Sequence, residues 1–349
     1  MFKILGFDFD NGGIIMHALK MASEKFVHDI TTDGSLYAIS YANSGLNSSL
    51  NTYEILQSDI NLCSIAEEIK MQGLKSRKLY LVKESCKEIM KNLLTQANLQ
   101  ISIEGRSSIF NQLEIELNKM FKRLGKNTNP PELDKRPSIL NIAPRKHILK
   151  APHEANHYVE SVGIPNITSA EFGKFVLLSE LIDQIFLGPK NTHQQDVYHA
   201  RTSVNDNGIF YFHSFYDQNT DDTFKIFDSA IANTSNGKFS EDDVMRAKVK
   251  AIKAMNEPMT SVKRKQKMKR KIFWHGNTEQ QHNQLRVALL NANKDDLVKI
   301  SNEYIKKNQK SLVKYEKTEK EEKKSLKYAT WTVVDLMELI RDPNPLIKL

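Results

Sequence analysis

The stretch His153-Glu154-Ala155-Asn156-His157-Tyr158-Val159-Glu160-Ser161-Val162 decides how the chain is read. Its first five residues fit H-E-x-x-H, a pattern that on a helix sets two imidazoles one turn apart on a zinc ion, with the glutamate as general base. That chemistry needs the helix. Pro152 precedes the pattern, and Tyr158, Val159 and Val162 follow it with strand-like composition before Gly163 and Pro165 turn the chain. In a strand, residues four apart share a face but lie roughly 13 Å from one another, too far to share one metal ion. The stretch is expected to be a strand and the match accidental. The inverted pattern H-x-x-E-H occurs nowhere, and none of the ten histidines forms another short metal cluster. No metal ligand is assigned in this chain.

Downstream, Thr168 to Phe186 carries Phe172, Phe175, Val176, Leu178 and Ile182 at helical spacing. Val197 to Val204 and Ile209 to Phe215 read as strands joined at Asn205, Asp206, Asn207 and Gly208, residues that tolerate a positive φ and so suit a tight hairpin. Helices are expected over Asp221 to Ala232, Glu241 to Met255, Thr278 to Ala292 and Lys294 to Lys307. The second of these opens on a capping-box-like Ser240 with Asp243 three residues later. Lys310 to Lys327 is dense in lysine and glutamate and reads as a solvated loop or frayed helix, with a last strand over Tyr328 to Val334.

Upstream the helical spacing is strong. It is expected over Gly13 to Ile30, then near Thr52 to Asp59, Leu62 to Gln72 and Ser76 to Gln96. Leu99, Ile101 and Ile103 alternate as a strand does, and Ser108 to Leu124 returns to helical spacing. Pro130, Pro131, Pro137, Pro144 and Pro152 then exclude helix, so residues 126–152 are read as a linker. The resulting division is a helix-rich first domain over 1–125, truncated at its start, the linker, and a second α/β domain over 153–349.

At 349 residues, with 40% hydrophobic and 26% charged residues, the chain is long enough for two ordinary domains. Cys63 and Cys86 supply neither a disulfide framework nor zinc-ligand spacing, which favours a reducing compartment, cytoplasm or organelle lumen. No apolar run reaches the roughly 18 residues of a membrane span, and Met1 to Asp10 lack the layout of a signal peptide, so a soluble chain with no membrane partner is expected. The net charge of +8 is concentrated at Lys263 to Lys271 and Lys310 to Lys327. The first run is read as a solvated helix and not as a nucleic-acid site, because no aromatic residues interleave with its charges.

From Tyr158 onward the order of elements resembles the last domain of presequence proteases and falcilysin, a branch of the insulinase (pitrilysin) family. In that branch the loop after the long helix resembles R-x-x-G-x-A-Y-G and the second hairpin strand ends near S-Y-R-D-P-N. Here Thr192 to Tyr198 stands at the first position, and Ser214, Phe215, Tyr216, Asp217, Gln218 and Asn219 at the second. Phe239 to Asp243, Ala247, Lys248, and Asn256 to Pro258 are similar to the branch's next conserved-order stretch, and Gly34 to Ala38 and Leu56 to Glu68 to its helix-rich region. The resemblance runs from about Ile14 to Lys307.

The resemblance implies an α/β fold, an α+β sandwich of two metallopeptidase-like domains, each a mainly antiparallel sheet packed with helices. It also implies a role: the C-terminal, zinc-free half of a peptide-degrading metalloendopeptidase, walling a chamber closed by an N-terminal half that carries H-x-x-E-H and the zinc. The partners would be that half and an unfolded peptide. Tyr198 fills the position of a tyrosine that contacts substrate and oxyanion, and an ordinary half-buried strand aromatic is the other reading of it. The arginine position is Thr192, which removes a fixed bidentate cation. His193 and Lys190 stand nearby as substrate contacts, without guanidinium geometry. A catalytically inactive paralogue or partner subunit of the same fold is the second reading, and a basic nucleic-acid-binding protein the third.

Overall fold

The computed structural model describes residues 11–51, 59–93, 95, 108, 110–122, 142–152, 155–188, 199–217, 223–256, 279–318 and 330–341. The chain divides into two compact units, Met1–Lys25 with Leu62–Ile139, and Phe26–Asn61 with Leu140–Leu349. Helix α1 (Gly12–Thr32) and helix α2 (Ser35–Ser44) come first, and the division falls inside α1. The first unit continues with α3 (Asp59–Gln72), α4 (Arg77–Leu93) and α5 (Phe110–Phe121). Its small core joins Ile15, Ile69 and Leu79, with Met16, Leu19, Ile65 and Val82 packed against them. These are the residues that recur at helical spacing. Among the described residues this unit is helical, and the strand expected at Leu99 to Ile103 lies outside them.

The second unit is built on one mixed sheet. Strands β1 (Lys146–Ala151), β2 (Asn156–Gly163), β3 (His199–Asn205), β4 (Ile209–Asp217), β5 (Lys310–Lys317) and β6 (Thr332–Asp335) lie in the order β3-β4-β2-β5-β1-β6. The β3–β4, β4–β2 and β2–β5 pairs are antiparallel, and β5–β1 and β1–β6 are parallel. The decisive stretch is a strand from Asn156 onward, as its β-branched and aromatic content requires. The hairpin also falls where the turn residues put it. Asn205 accepts from the backbone N–H groups of Asn207 and Ile209, and Gly208 takes φ +85° where a Cβ would lie 2.5 Å from the Ile164 carbonyl oxygen.

One face of the sheet packs under α6 (Phe172–Ile185), α7 (Thr223–Ser235), α8 (Glu241–Met255), α9 (Glu279–Asn291) and α10 (Lys294–Ile300), the last continuing as a π-turn through Ile305. Phe175, Leu178, Leu181, Phe210, Phe212 and Phe227 form the centre of this core. The capping box read at the start of α8 is present, with the Ser240 hydroxyl accepting from the Asp243 N–H and Asp243 accepting from the Ser240 N–H. A short α11 (Leu336–Arg341) follows β6.

Two stretches differ from the sequence reading. Residues 146–151, inside the supposed linker, are β1. Lys310 to Lys317, supposed to be solvated, is β5, buried between β2 and β1. The alternation that makes a strand is present, with Ser311, Val313 and Tyr315 facing one way and Leu312, Lys314 and Glu316 the other. It is masked by charges that are paired in place. Glu316 lies 3.2 Å from Lys150, and Lys310 lies 2.7 Å from Glu160 and 2.6 Å from Asp228. The Lys314 ammonium stands 4.8 Å over the Trp331 ring. Buried lysine is tolerated where such partners meet it.

The other face of the sheet receives α2, which lies over β2, β5 and part of β4. This helix comes from the stretch assigned to the first domain, and it joins the second unit because it is small and polar enough to sit close to the sheet. Asn43 accepts from the Ser161 hydroxyl at 2.7 Å, and Arg145 donates to the Tyr41 carbonyl, Ser44 and Asn51. At its start, a Cβ on Gly34 would lie 2.1 Å from Cζ of Tyr315, whose hydroxyl donates to the Ile30 carbonyl at 2.5 Å.

Gly34 has φ −76°, so alanine suits its backbone and would fail only for want of space. Gly34→Ala should therefore cost about 1–3 kcal/mol in urea unfolding, the range for overpacking a tight site. A loss below about 0.5 kcal/mol, the size of an ordinary surface change, would mean that α2 has room to lift.

Candidate functional site

The metal-like motif does not assemble as a metal site. His157 lies in β2, fully buried, its ring 6.0 Å from those of Phe215 and Tyr315 and 5.8 Å from that of Tyr216, with Asp33 3.8 Å from Nε2. His153 and Glu154 lie outside the described residues. With its second histidine in a strand and enclosed by aromatic rings, the motif lacks the helical frame that a shared zinc requires. Among the described residues no group of three or more His, Cys, Asp or Glu side chains could hold a metal ion. Among the described residues none fits the zinc that the resemblance implies.

Lys190, Thr192, His193 and Tyr198 all lie outside the described residues. What the structure gives is the frame on either side of them. Helix α6 ends at Ile185, and β3 begins at His199 on an edge of the sheet. The two ends are tied by Asp183, which accepts from the Thr202 N–H at 2.6 Å and from its hydroxyl at 2.7 Å. Ser179 Oγ lies 2.9 Å from the same hydroxyl. Burial pushes the Asp183 carboxyl up to about 6, against the hydrogen bonds from Thr202. This bond also covers a backbone donor on an edge strand, where an unpaired N–H would invite another chain. Sequence reading did not single out Asp183, because an acid inside an apolar helix carries no sign of the strand it will meet.

Beside β2, the face of β4 that α2 partly covers carries Tyr211, His213 and Phe215 in a row, Tyr211 standing in register with the Ser161 that donates to Asn43. Their rings are spaced 5.6 Å and 4.6 Å along it. His213 is 6% exposed, and its Nδ1 has no hydrogen-bond partner among the described residues. Opposite it in register stands Arg201 of β3, exposed and in no ion pair with a described residue. Next along β4 is Tyr216, 55% exposed at φ +50°, where the β2–β4 register shifts. A bulky residue in the left-handed region is strained by about 1–3 kcal/mol, and bulges of this kind re-aim side chains beside sites. The sequence signal was available. Aromatic residues occupy both faces of Ile209 to Asp217, whereas a strand with one solvated face has them on one.

No family model matches the chain. The mitochondrial presequence protease of Mus musculus is 20% identical over 317 residues, covering 82% of this chain and 30% of that protein. Its counterpart from Gibberella zeae is 24% identical over 318 residues, covering 86% and 30%. Among solved structures, pitrilysin overlays at a TM-score of 0.48 with 12% identity, over 85% of this chain and 35% of that one. The expected resemblance to the presequence-protease branch of the insulinase family is borne out by these sequence relatives along most of the chain. The chain spans only 30% of the length of these two relatives. No helix among the described residues is long and apolar enough to cross a membrane.

The buried groups give a pH signature of definite sign. Burial first, then the neighbouring Arg201 and His157, hold His213 down at about 4; burial and then Arg145 do the same for His147. A folded value below the ordinary 6.5 contributes stability that is full above 6.5 and lost as pH falls through about 4. Glu160, raised by burial to about 7 against its Lys310 partner, and Asp183 work in the opposite sense. Their contribution is full below the ordinary carboxyl range and is lost as pH rises through 6 to 7. His213→Phe should isolate the first effect: between about pH 7.5 and about pH 4.5 its melting temperature should fall less than that of the wild type. Equal falls would show that His213 takes up its proton freely in the fold.

Proposed function

We propose that this chain is the C-terminal, non-zinc-binding half of a peptide-degrading zinc metalloendopeptidase. It would form one wall of a closed chamber opposite an N-terminal half that supplies the zinc. The observation that carries the reading is the extent of the sequence likeness to presequence proteases, which runs along 82% of this chain yet over 30% of such a relative. A share of that size fits one portion of a larger enzyme. The mixed sheet packed with helices is compatible with it.

In this reading Tyr198, directly ahead of edge strand β3, donates a hydrogen bond where negative charge develops on the substrate, and His193 and Lys190 contact the peptide. Donors aimed at a developing oxyanion in a site shielded from water can each be worth a few kcal/mol. The Asp183–Thr202 tie supports the role indirectly, since it fixes the strand that follows Tyr198. Thr192, at the position of the branch's arginine, favours a second reading, a catalytically inactive paralogue or partner subunit of the same fold.

The test is reconstitution. Co-purified with a metal-bearing N-terminal half, the chain should restore cleavage of an unstructured fluorogenic peptide, and Tyr198→Phe should lower kcat by roughly ten- to a thousandfold at unchanged melting temperature. Assembled halves that cleave nothing would favour the inactive paralogue. A Tyr198→Phe variant with full turnover and a lowered melting temperature would reject the catalytic role and leave Tyr198 as packing.

A further inference from the structure

We infer that the tip of the α3–α4 hairpin docks on an anionic lipid surface, with Met71, Leu74, Tyr80 and Leu81 entering the interface and Lys75 and Arg77 meeting its headgroups. Three observations on one short stretch carry it. Met71 is 86% exposed, Leu74 67%, Tyr80 61% and Leu81 51%, so four large apolar side chains stand in water at the same end of the hairpin. Single exposed apolar residues are ordinary, whereas a group of them marks a contact surface. The stretch Ile69–Lys83 holds five lysines and arginines and no aspartate or glutamate. Lys70 pairs with Glu67 and Lys78 with Glu68, while Lys75 and Arg77 are exposed and in no ion pair with a described residue. The tip also stands clear, since a Cβ on Gly73 would meet no atom within 4 Å.

The local fold holds this tip out. Ile69 on one leg and Leu79 on the other are buried in the small core of the first unit, so the chain between them projects beyond it. Gly73 turns the chain at φ +63°, and Ser76 opens α4 by accepting from the Leu79 N–H at 3.3 Å. The Glu68–Lys78 ion pair ties the two legs together.

An apolar projection with cations and no acid beside it fits a partner that is negative at its surface and apolar beneath. A bilayer of anionic lipid has that order, with charged headgroups outermost and acyl chains roughly 5–10 Å below. Tyrosine suits the boundary, because its ring is apolar and its hydroxyl polar. The long stems of Lys75 and Arg77 let their charges stay among the headgroups while their neighbours go deeper. A nucleic acid would meet the cations and leave Met71 and Leu74 in water, and a second copy docking tip to tip would set like charges against each other. No described helix is long and apolar enough to cross a membrane, so the contact is peripheral.

The experiment is co-sedimentation of the purified chain with phosphatidylcholine vesicles, with and without phosphatidylserine. The proteins compared are the wild type, the double variant Met71→Ser with Leu74→Ser, and the double variant Lys75→Glu with Arg77→Glu. All four side chains are exposed, so both variants should melt as the wild type does. The wild type should bind the phosphatidylserine vesicles roughly tenfold or more tightly than the plain ones, and each variant should lose roughly tenfold or more of that binding. Added salt should weaken the wild-type contact. No preference for phosphatidylserine would overturn the inference. Binding retained by both variants would place the contact elsewhere on the chain and overturn it too. Loss in the charge variant alone would leave electrostatic attraction without insertion, and reassign the tip to an acidic macromolecule. No cleavage is measured, so none of these outcomes touches the peptidase reading.

Discussion

The second unit depends on the way Tyr315 sits between α2 and the sheet. Its ring fills the space that a side chain at residue 34 would need, and its hydroxyl satisfies the carbonyl of Ile30. Burial pushes this phenol well above its ordinary range, so it stays a donor at any working pH. The contact joins residues 285 apart in sequence, and Asn43–Ser161 and Arg145–Ser44 extend it along the helix. An interface of this kind has little apolar area to bury. It holds because polar groups meet partners at short range, and because glycine and alanine let the helix approach.

The same economy explains the opposite face. β5 carries Lys310 and Glu316 into the sheet where β1, β2 and α7 present charges of opposite sign to them, and Lys314 lies over the Trp331 ring. Breaking one such pair would leave an uncompensated buried charge, which costs more than the pair contributes. Register is thereby fixed twice, by the hydrophobic alternation and by charge matching. With α2 on one face and the charged pairs on the other, β2, β4 and β5 are held in one register.

Some of this was legible in the sequence and some was not. The hairpin at Asn205–Gly208, the capping box at Ser240 and the strand reading of His157 to Val162 rest on local chemistry, and local chemistry is visible in a single chain. β5 was misread because its lysines look solvated until Glu160, Asp228 and Glu316 are brought to them, and that is a property of the fold. α2 went unrecognised for a related reason: its residues, SLYAISYANS, have no strong amphipathic pattern, since the face it buries is polar. Its partner strand lies near the other end of the chain. The candidate site divides in the same way. Tyr198, His193 and Lys190 came from a resemblance of order and fall outside the described residues. Arg201 and His213 become neighbours only through the β3–β4 register.

The dependence of the unit on Tyr315 can be measured by hydrogen exchange of the wild type and Tyr315→Ala. Loss of the ring and hydroxyl should make the amides of Ser35–Ser44 exchange roughly tenfold faster or more, while those of α6 on the opposite face change little. Protection of α2 that is unchanged, or that falls no further than that of α6, would contradict the claim that this one contact holds the helix to the sheet.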